Sequence, residues 1–270
     1  MRGAISPPPS DASALLHPPR SWHIASACDG SLAEFGRRAA AGGLPYLAAA
    51  YPRPSWDAAR YVAAFGALQA ALMLAVPGRR FLGPATPRGN VPVYVGNGVQ
   101  CYALTLALFF LGWHFDVFSP AAVYDAMGAI VAVLNLFSLA LCAALTAKGL
   151  HFPSSSDSGT TGSLLFDFYW GTELFPRIGE AFDIKVWTNC RMGMMAWAVL
   201  PLCYAAKQAA VLGAVSPSMA ASLALVELYV FKFFLWETGC GIIYSFIIYS
   251  FIIYSCIMYL SISPCTCLHA

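Results

Sequence analysis

Five runs of about twenty mostly apolar residues, near 58–77, 98–119, 121–147, 193–214 and 217–238, constrain this chain more than any motif does. At about 1.5 Å of rise per residue, each run as a helix matches the hydrocarbon thickness of a bilayer. A helix also satisfies its own backbone hydrogen bonds, which lipid cannot do. The expected fold class is therefore all-α, a polytopic membrane helix bundle. Composition agrees: 59% of the 270 residues are hydrophobic, 10% are charged and the mean hydropathy is +0.65.

Several function classes fall away at once. A net charge of +2 with no cluster of Lys and Arg excludes nucleic acid as a partner. The nine cysteines are scattered, and Cys101, Cys142 and Cys203 sit in apolar runs where a thiol acts as a small hydrophobe, so no disulfide framework is legible. Cys265, Cys267 and His269 form a terminal C-x-C without a second ligand pair, and no metal site is expected. The serines at 154–158 lack a paired His and Asp and the G-x-S-x-G elbow, which argues against a hydrolase. No glycine-rich phosphate loop is present.

Three regions are expected. Residues 1–56 read as a Pro/Ala-rich N-terminal arm: Pro7, Pro8, Pro9, Pro18 and Pro19 oppose both a signal peptide and an amphipathic helix, leaving the start disordered. Residues 57–239 hold the spanning helices. Residues 240–270 read as an aberrant apolar tail, with Ile-Ile-Tyr-Ser at 242–245, 247–250 and 252–255. That five-residue period matches neither helix nor strand, although an uncharged run of this length can still insert. Two breaks, 81–98 and 148–161, are rich in turn-forming residues and read as loops.

The chemistry concentrates in 167–191, where seven charged side chains stand among aromatic and aliphatic residues. Each would cost roughly 2.5–3.5 kcal/mol at membrane depth, so they should pair, face a bundle interior or line a cavity. Gly171 and Pro176 interrupt the apolar stretch 164–179, giving a broken or half-inserted element that predicts a pocket, since irregular backbone at that depth must be buried in protein or line a cavity. Glu173 and Arg177, four apart, would pair on a helix, either at a pocket edge or as a structural tie. Asp183, Lys185, Asn189 and Arg191 extend that polar network or form an interfacial loop. Asp167, between two phenylalanines, suits a cap. Glu227, Lys232 and Glu237 recur every five residues on the last span, off a single stripe, and Glu237 beside Trp236 joins the pocket candidates. His114 and His151 read as interfacial.

Gly162, Asp167, Phe168, Gly171, Leu174, Pro176 and Arg177 match a signature of a Gly, an Asp-aromatic pair and Gly-x-x-Leu-x-Pro-Arg. With Phe182, Asp183, Ile184, Lys185, then Asn189, Cys190, Arg191, and upstream Tyr51 to Pro54, Asn97, Gly98 and the run Pro153 to Gly159, the chain resembles the sterol C14/C7 reductase family, most closely its plant-type Δ7 branch, over 51–239. The resemblance implies an endoplasmic-reticulum membrane enzyme that reduces the sterol Δ7 double bond by adding a proton and a hydride. It implies NADPH as cofactor, with the sterol and the lipid bilayer as partners. It assigns no catalytic residue here; Glu173, Arg177 and Glu237 remain pocket candidates and the proton donor is open.

Members of the family usually have a further spanning helix before the region that Cys28 to Ser31 hint at. They also continue past a Trp-Glu like Trp236 and Glu237 into a half that supplies most of the NADPH pocket, and no match to its signature occurs in this sequence. The bundle thus reads as C-terminally truncated and incomplete relative to the family, with no identifiable cofactor-binding residue. A non-catalytic sterol-binding membrane protein and an inactive fragment are the alternatives.

Overall fold

A computed structural model describes residues 32–239. The proline-rich start, the repetitive tail and the Cys265, Cys267, His269 group lie outside the described residues. Within 1–56, Leu32–Ala50 forms a helix, α1, kinked at Gly43 (φ 57°) two residues before Pro45. α2 (Trp56–Ala75) starts where the Ser55 hydroxyl accepts from the Ala58 N–H at 3.2 Å.

The next turns explain why the loop 81–98 is more ordered than a loop. β1 (Arg79–Leu82) and β2 (Val93–Gly96) pair antiparallel with Arg79 opposite Gly96 and Leu82 opposite Val93. Their outer ends close through Thr86, whose carbonyl accepts from Gly89 (φ 85°) at 2.9 Å. α3 (Gly98–His114) is 17 residues long and stops short of the expected 119, because Asp116 takes a left-handed φ of 54° and Ser119 and Pro120 start a new helix. The expected span 121–147 accordingly divides into α4 (Pro120–Asp125) and α5 (Met127–His151).

The broken element is a short helix, α6 (Leu164–Trp170), ended by Gly171 at φ 84°. A two-residue hairpin follows, β3 (Arg177–Ile178) with β4 (Phe182–Asp183), turning through Gly179 at φ 65°. One continuous helix then runs from Val186 to Leu212. It begins seven residues before the expected 193, and its opening, Val186–Gly193, is π-helical before α7 (Met194–Leu212) takes α geometry. α8 (Pro217–Gly239) closes the described chain.

Among the described residues, four helices are long and apolar enough to cross a membrane, Trp56–Ala75, Met127–His151, Val186–Leu212 and Pro217–Glu237, and α3 is a shorter apolar helix. The molecule is a polytopic helical membrane protein, and its described residues include two small hairpins. Its core lies where α3, α7 and α8 meet, at Cys101, Met194, Met195, Trp197, Ala198, Val230 and Phe234, with Phe65 and Leu72 of α2 packed against it. Outward faces leave Phe110, Leu136, Leu139 and Leu225 exposed, as surfaces turned to acyl chains require.

Candidate functional site

The charges of 167–191 sort into two groups that the sequence did not separate. The first lies around the broken element. Glu173 is buried and pairs with Lys148 of α5 (Nζ to Oε2, 2.7 Å), while its other oxygen accepts from the Ser154 N–H. Ser154 Oγ accepts from the Arg177 N–H at 2.9 Å, which straps the 148–161 break onto the small hairpin.

The expected Glu173–Arg177 pair does not form. Gly171 ends the helix before either residue, and Glu173 bridges Ser158 in extended geometry, so four-residue spacing no longer brings the two side chains together. Arg177 turns instead to Asp183 (3.8 Å), to the Val93 carbonyl (3.0 Å) and to the Tyr94 ring (5.4 Å). Asp167 accepts from Thr161 N–H and hydroxyl (both 2.8 Å) and from Gly162 N–H (3.2 Å), capping the approach to α6; those donors hold its carboxyl below the ordinary range.

Asp183 is buried, and that burial pushes its carboxyl up, opposed by the Val186 N–H it accepts from at 3.1 Å and by Arg177. Lys185 donates to the carbonyls of Glu173 (2.8 Å) and Leu174 (3.4 Å) and lies 5.3 Å from the centre of the Trp170 ring. Burial lowers its ammonium to about 8 against the pull of Asp183 and Glu173. The ordinary value is about 10.4, so the fold bears a charging penalty below about pH 8 that is relieved as pH rises toward 10.4. Acylation of the intact protein, read by peptide mass spectrometry, should reach half its maximal rate at Lys185 near pH 8, well below the ordinary lysine value of about 10.4. A midpoint near 10.4 would contradict this environment.

The second group is a knot at the ends of four helices. The Arg191 guanidinium, on the π-helical segment, donates to both oxygens of Glu237 on α8 (2.6 and 2.9 Å) and to Asn97 Oδ1 before α3 (2.8 Å), and stands 5.4 Å from the Phe234 ring. Asn97 turns its amide to the carbonyls closing α2, Met73 (3.1 Å) and Val76 (2.7 Å). A side chain at Gly98 would collide with Glu237 Oε2 and come within 2.7 Å of Arg191 Nη1, so glycine there permits the close approach. Arg191 and Glu237 were both candidates, but their pairing, and Asn97 as its third member, had no sequence signal: the residues are 46 and 94 positions apart.

Between α2, α5 and the Val186–Leu212 helix lies a cleft of about 2060 Å³. Its walls are largely apolar, with Phe65, Phe109, Phe137, Leu141, Leu200 and Trp236 among them. Arg177, Asp183, Lys185, Asn189, Arg191 and Glu237 also line it, so most of the expected polar network borders this cleft while Glu173 stands behind it. Its volume exceeds the roughly 300–1,000 Å³ of ordinary small-molecule pockets. Glu227 lies elsewhere and accepts from the Tyr102 hydroxyl at 2.6 Å, and Lys232 stands over Trp236.

Comparison with known proteins supplies the kinship. A sequence model of the ergosterol biosynthesis ERG4/ERG24 family matches residues 32–263, beyond both ends of the 51–239 resemblance. The chain is 46% identical to 7-dehydrocholesterol reductase of Arabidopsis thaliana over 218 residues, 81% of this chain and 50% of that protein. It is 33% identical to 7-dehydrocholesterol reductase of Xenopus laevis over 68% of this chain and 41% of the relative. Delta(14)-sterol reductase of Methylotuvimicrobium alcaliphilum is 32% identical over 68% of this chain and 42% of that protein. The chain thus spans half, or less, of the length of these curated relatives. Matched by the family model along most of its length and a third to nearly half identical to these reductases over the aligned residues, the chain belongs to the ergosterol biosynthesis ERG4/ERG24 family.

Proposed function

We propose that this chain is part of an NADPH-dependent reductase of the endoplasmic-reticulum membrane that saturates the sterol Δ7 double bond. The observation that carries the Δ7 reading is the 46% identity to the Arabidopsis 7-dehydrocholesterol reductase, against 32% to a Δ14 enzyme. Saturating such a bond adds a proton to one carbon and a hydride to the cation left on the other. An apolar cleft among helices suits the ring system, and aromatic walls such as Phe109, Phe137 and Trp236 suit a transient cation. In this reading 57–239 is the working unit, 1–56 an arm and 240–270 an appended tail. Arg177 and Glu237 border the substrate, and Glu173 braces the strap behind it.

A dinucleotide's phosphates need free cations. Among the described residues most cations bordering the cleft are engaged: Arg60 with Asp57, Arg177 with Asp183, Lys185 with two carbonyls and Arg191 with Glu237. Arg80 on β1 is exposed there, but one guanidinium does not make a pyrophosphate site. The described residues therefore do not fit the cofactor, and no step is assigned through it. That mismatch favours a second reading, sterol binding without turnover.

A host lacking Δ7 reduction separates the two when it expresses this chain and, in parallel, the full native transcript. Conversion of the 7-dehydrosterol pool by the full transcript is the expected result, and an unchanged pool overturns the reductase reading. Saturable binding of radiolabelled sterol by the 270-residue chain without conversion would establish the second.

A further inference from the structure

The polar side chains around the cleft are unequal. Arg177, Asp183, Lys185, Arg191 and Glu237 all spend their charges on protein partners. Thr188, beside them, turns its hydroxyl back to the carbonyls of Ile184 (2.9 Å) and Lys185 (3.3 Å). Asn189 differs: it lines the cleft, its side chain is exposed, and its carboxamide has no hydrogen-bond partner among the described residues.

It sits in a span, where an unspent polar group normally marks a ligand path. Its backbone is held on both sides, by Trp187 Nε1 donating to the Gly66 carbonyl (3.0 Å) and by Arg191 in its knot, so the group is fixed before any ligand arrives. Further along the same helix the cleft-lining positions Gly193, Ala196, Leu200 and Cys203 are apolar and follow helical spacing. A long apolar wall with one free carboxamide at the charged end complements a rigid apolar molecule carrying a single hydroxyl. A carboxamide both donates and accepts, as a hydroxyl does.

We propose that Asn189 binds the substrate's hydroxyl and so sets how far along the cleft the rings sit. This rests on the sterol reading above and deepens it. No charged side chain need give up its partner for the hydroxyl to bind, and no proton is transferred at this group.

The test is sterol binding to the chain in lipid nanodiscs, using a 3-hydroxysterol and its 3-deoxy analogue on the native protein, Asn189→Leu and Asn189→Gln. One hydrogen bond corresponds to roughly a 5- to 10-fold change in affinity. The expected result is that Asn189→Leu weakens the hydroxysterol by that factor while leaving the deoxy analogue unchanged, which also shows the variant is folded. Asn189→Gln should keep part of the preference. Equal weakening of both ligands in both variants would make Asn189 structural and overturn the proposal, as would an unchanged hydroxyl preference. If the native chain binds neither sterol, it is the sterol reading that fails.

Discussion

Arg191→Met should destabilise the protein by about 3–5 kcal/mol, the cost of leaving one member of a buried ion pair without the other. The Arg191 side chain is 1% exposed and that of Glu237 9%, so neither charge can fall back on water. Glu237→Leu alone should cost a similar amount for the mirror reason. The double variant should recover most of the loss, because paired apolar replacements remove the desolvation burden together with the attraction. Unfolding midpoints of the four proteins in detergent measure this. Additive losses in the double variant would show that the two side chains act independently.

Gly98→Ala should be almost as damaging although it removes no charge. The added methyl would occupy the space of Glu237 Oε2 and crowd Phe234, and none of these atoms is the loose end of an exposed chain. Either α3 retreats from α8, opening the contacts of Cys101 with Val230 and Phe234, or the carboxylate swings out of the guanidinium's reach. Both routes predict a drop of about 2–4 kcal/mol, combining overpacking with a weakened pair. On the Glu237→Leu background the same substitution should cost measurably less; an undiminished cost would place the clash elsewhere.

What the sequence disclosed and what it hid follow from range. Apolar length is a local property, so Trp56–Ala75 and Pro217–Glu237 were legible to within about two residues. Gly171 and Pro176 correctly announced a broken element with a cavity beside it. The same break defeated the Glu173–Arg177 pairing, which assumed a helix across a glycine at φ 84°. Lys148, the true partner of Glu173, is 25 positions away, and only the fold of the 148–161 strap brings it near. The hairpin at 79–96 was hidden because its turn residues look like any loop, whereas its pairing is a matter of register.

The π-helical opening at Val186–Gly193 makes the geometry of this region a matter of counting. A π segment is a helix carrying surplus length within its turns. Deleting one residue there removes that surplus and lets the segment relax to α geometry with its two flanks close to their present bearing, whereas a deletion inside α7, which has no surplus to give up, would rotate everything upstream by about 100°. After the deletion in α7, Trp187 would lose the Gly66 carbonyl, and the hairpin carrying Arg177 and Asp183 would swing off its present bearing even with every side chain retained. The stretch between Lys185 and Met194 is therefore where this helix can absorb a change in chain length, and a single-codon deletion should be more forgiving there than within Met194–Leu212.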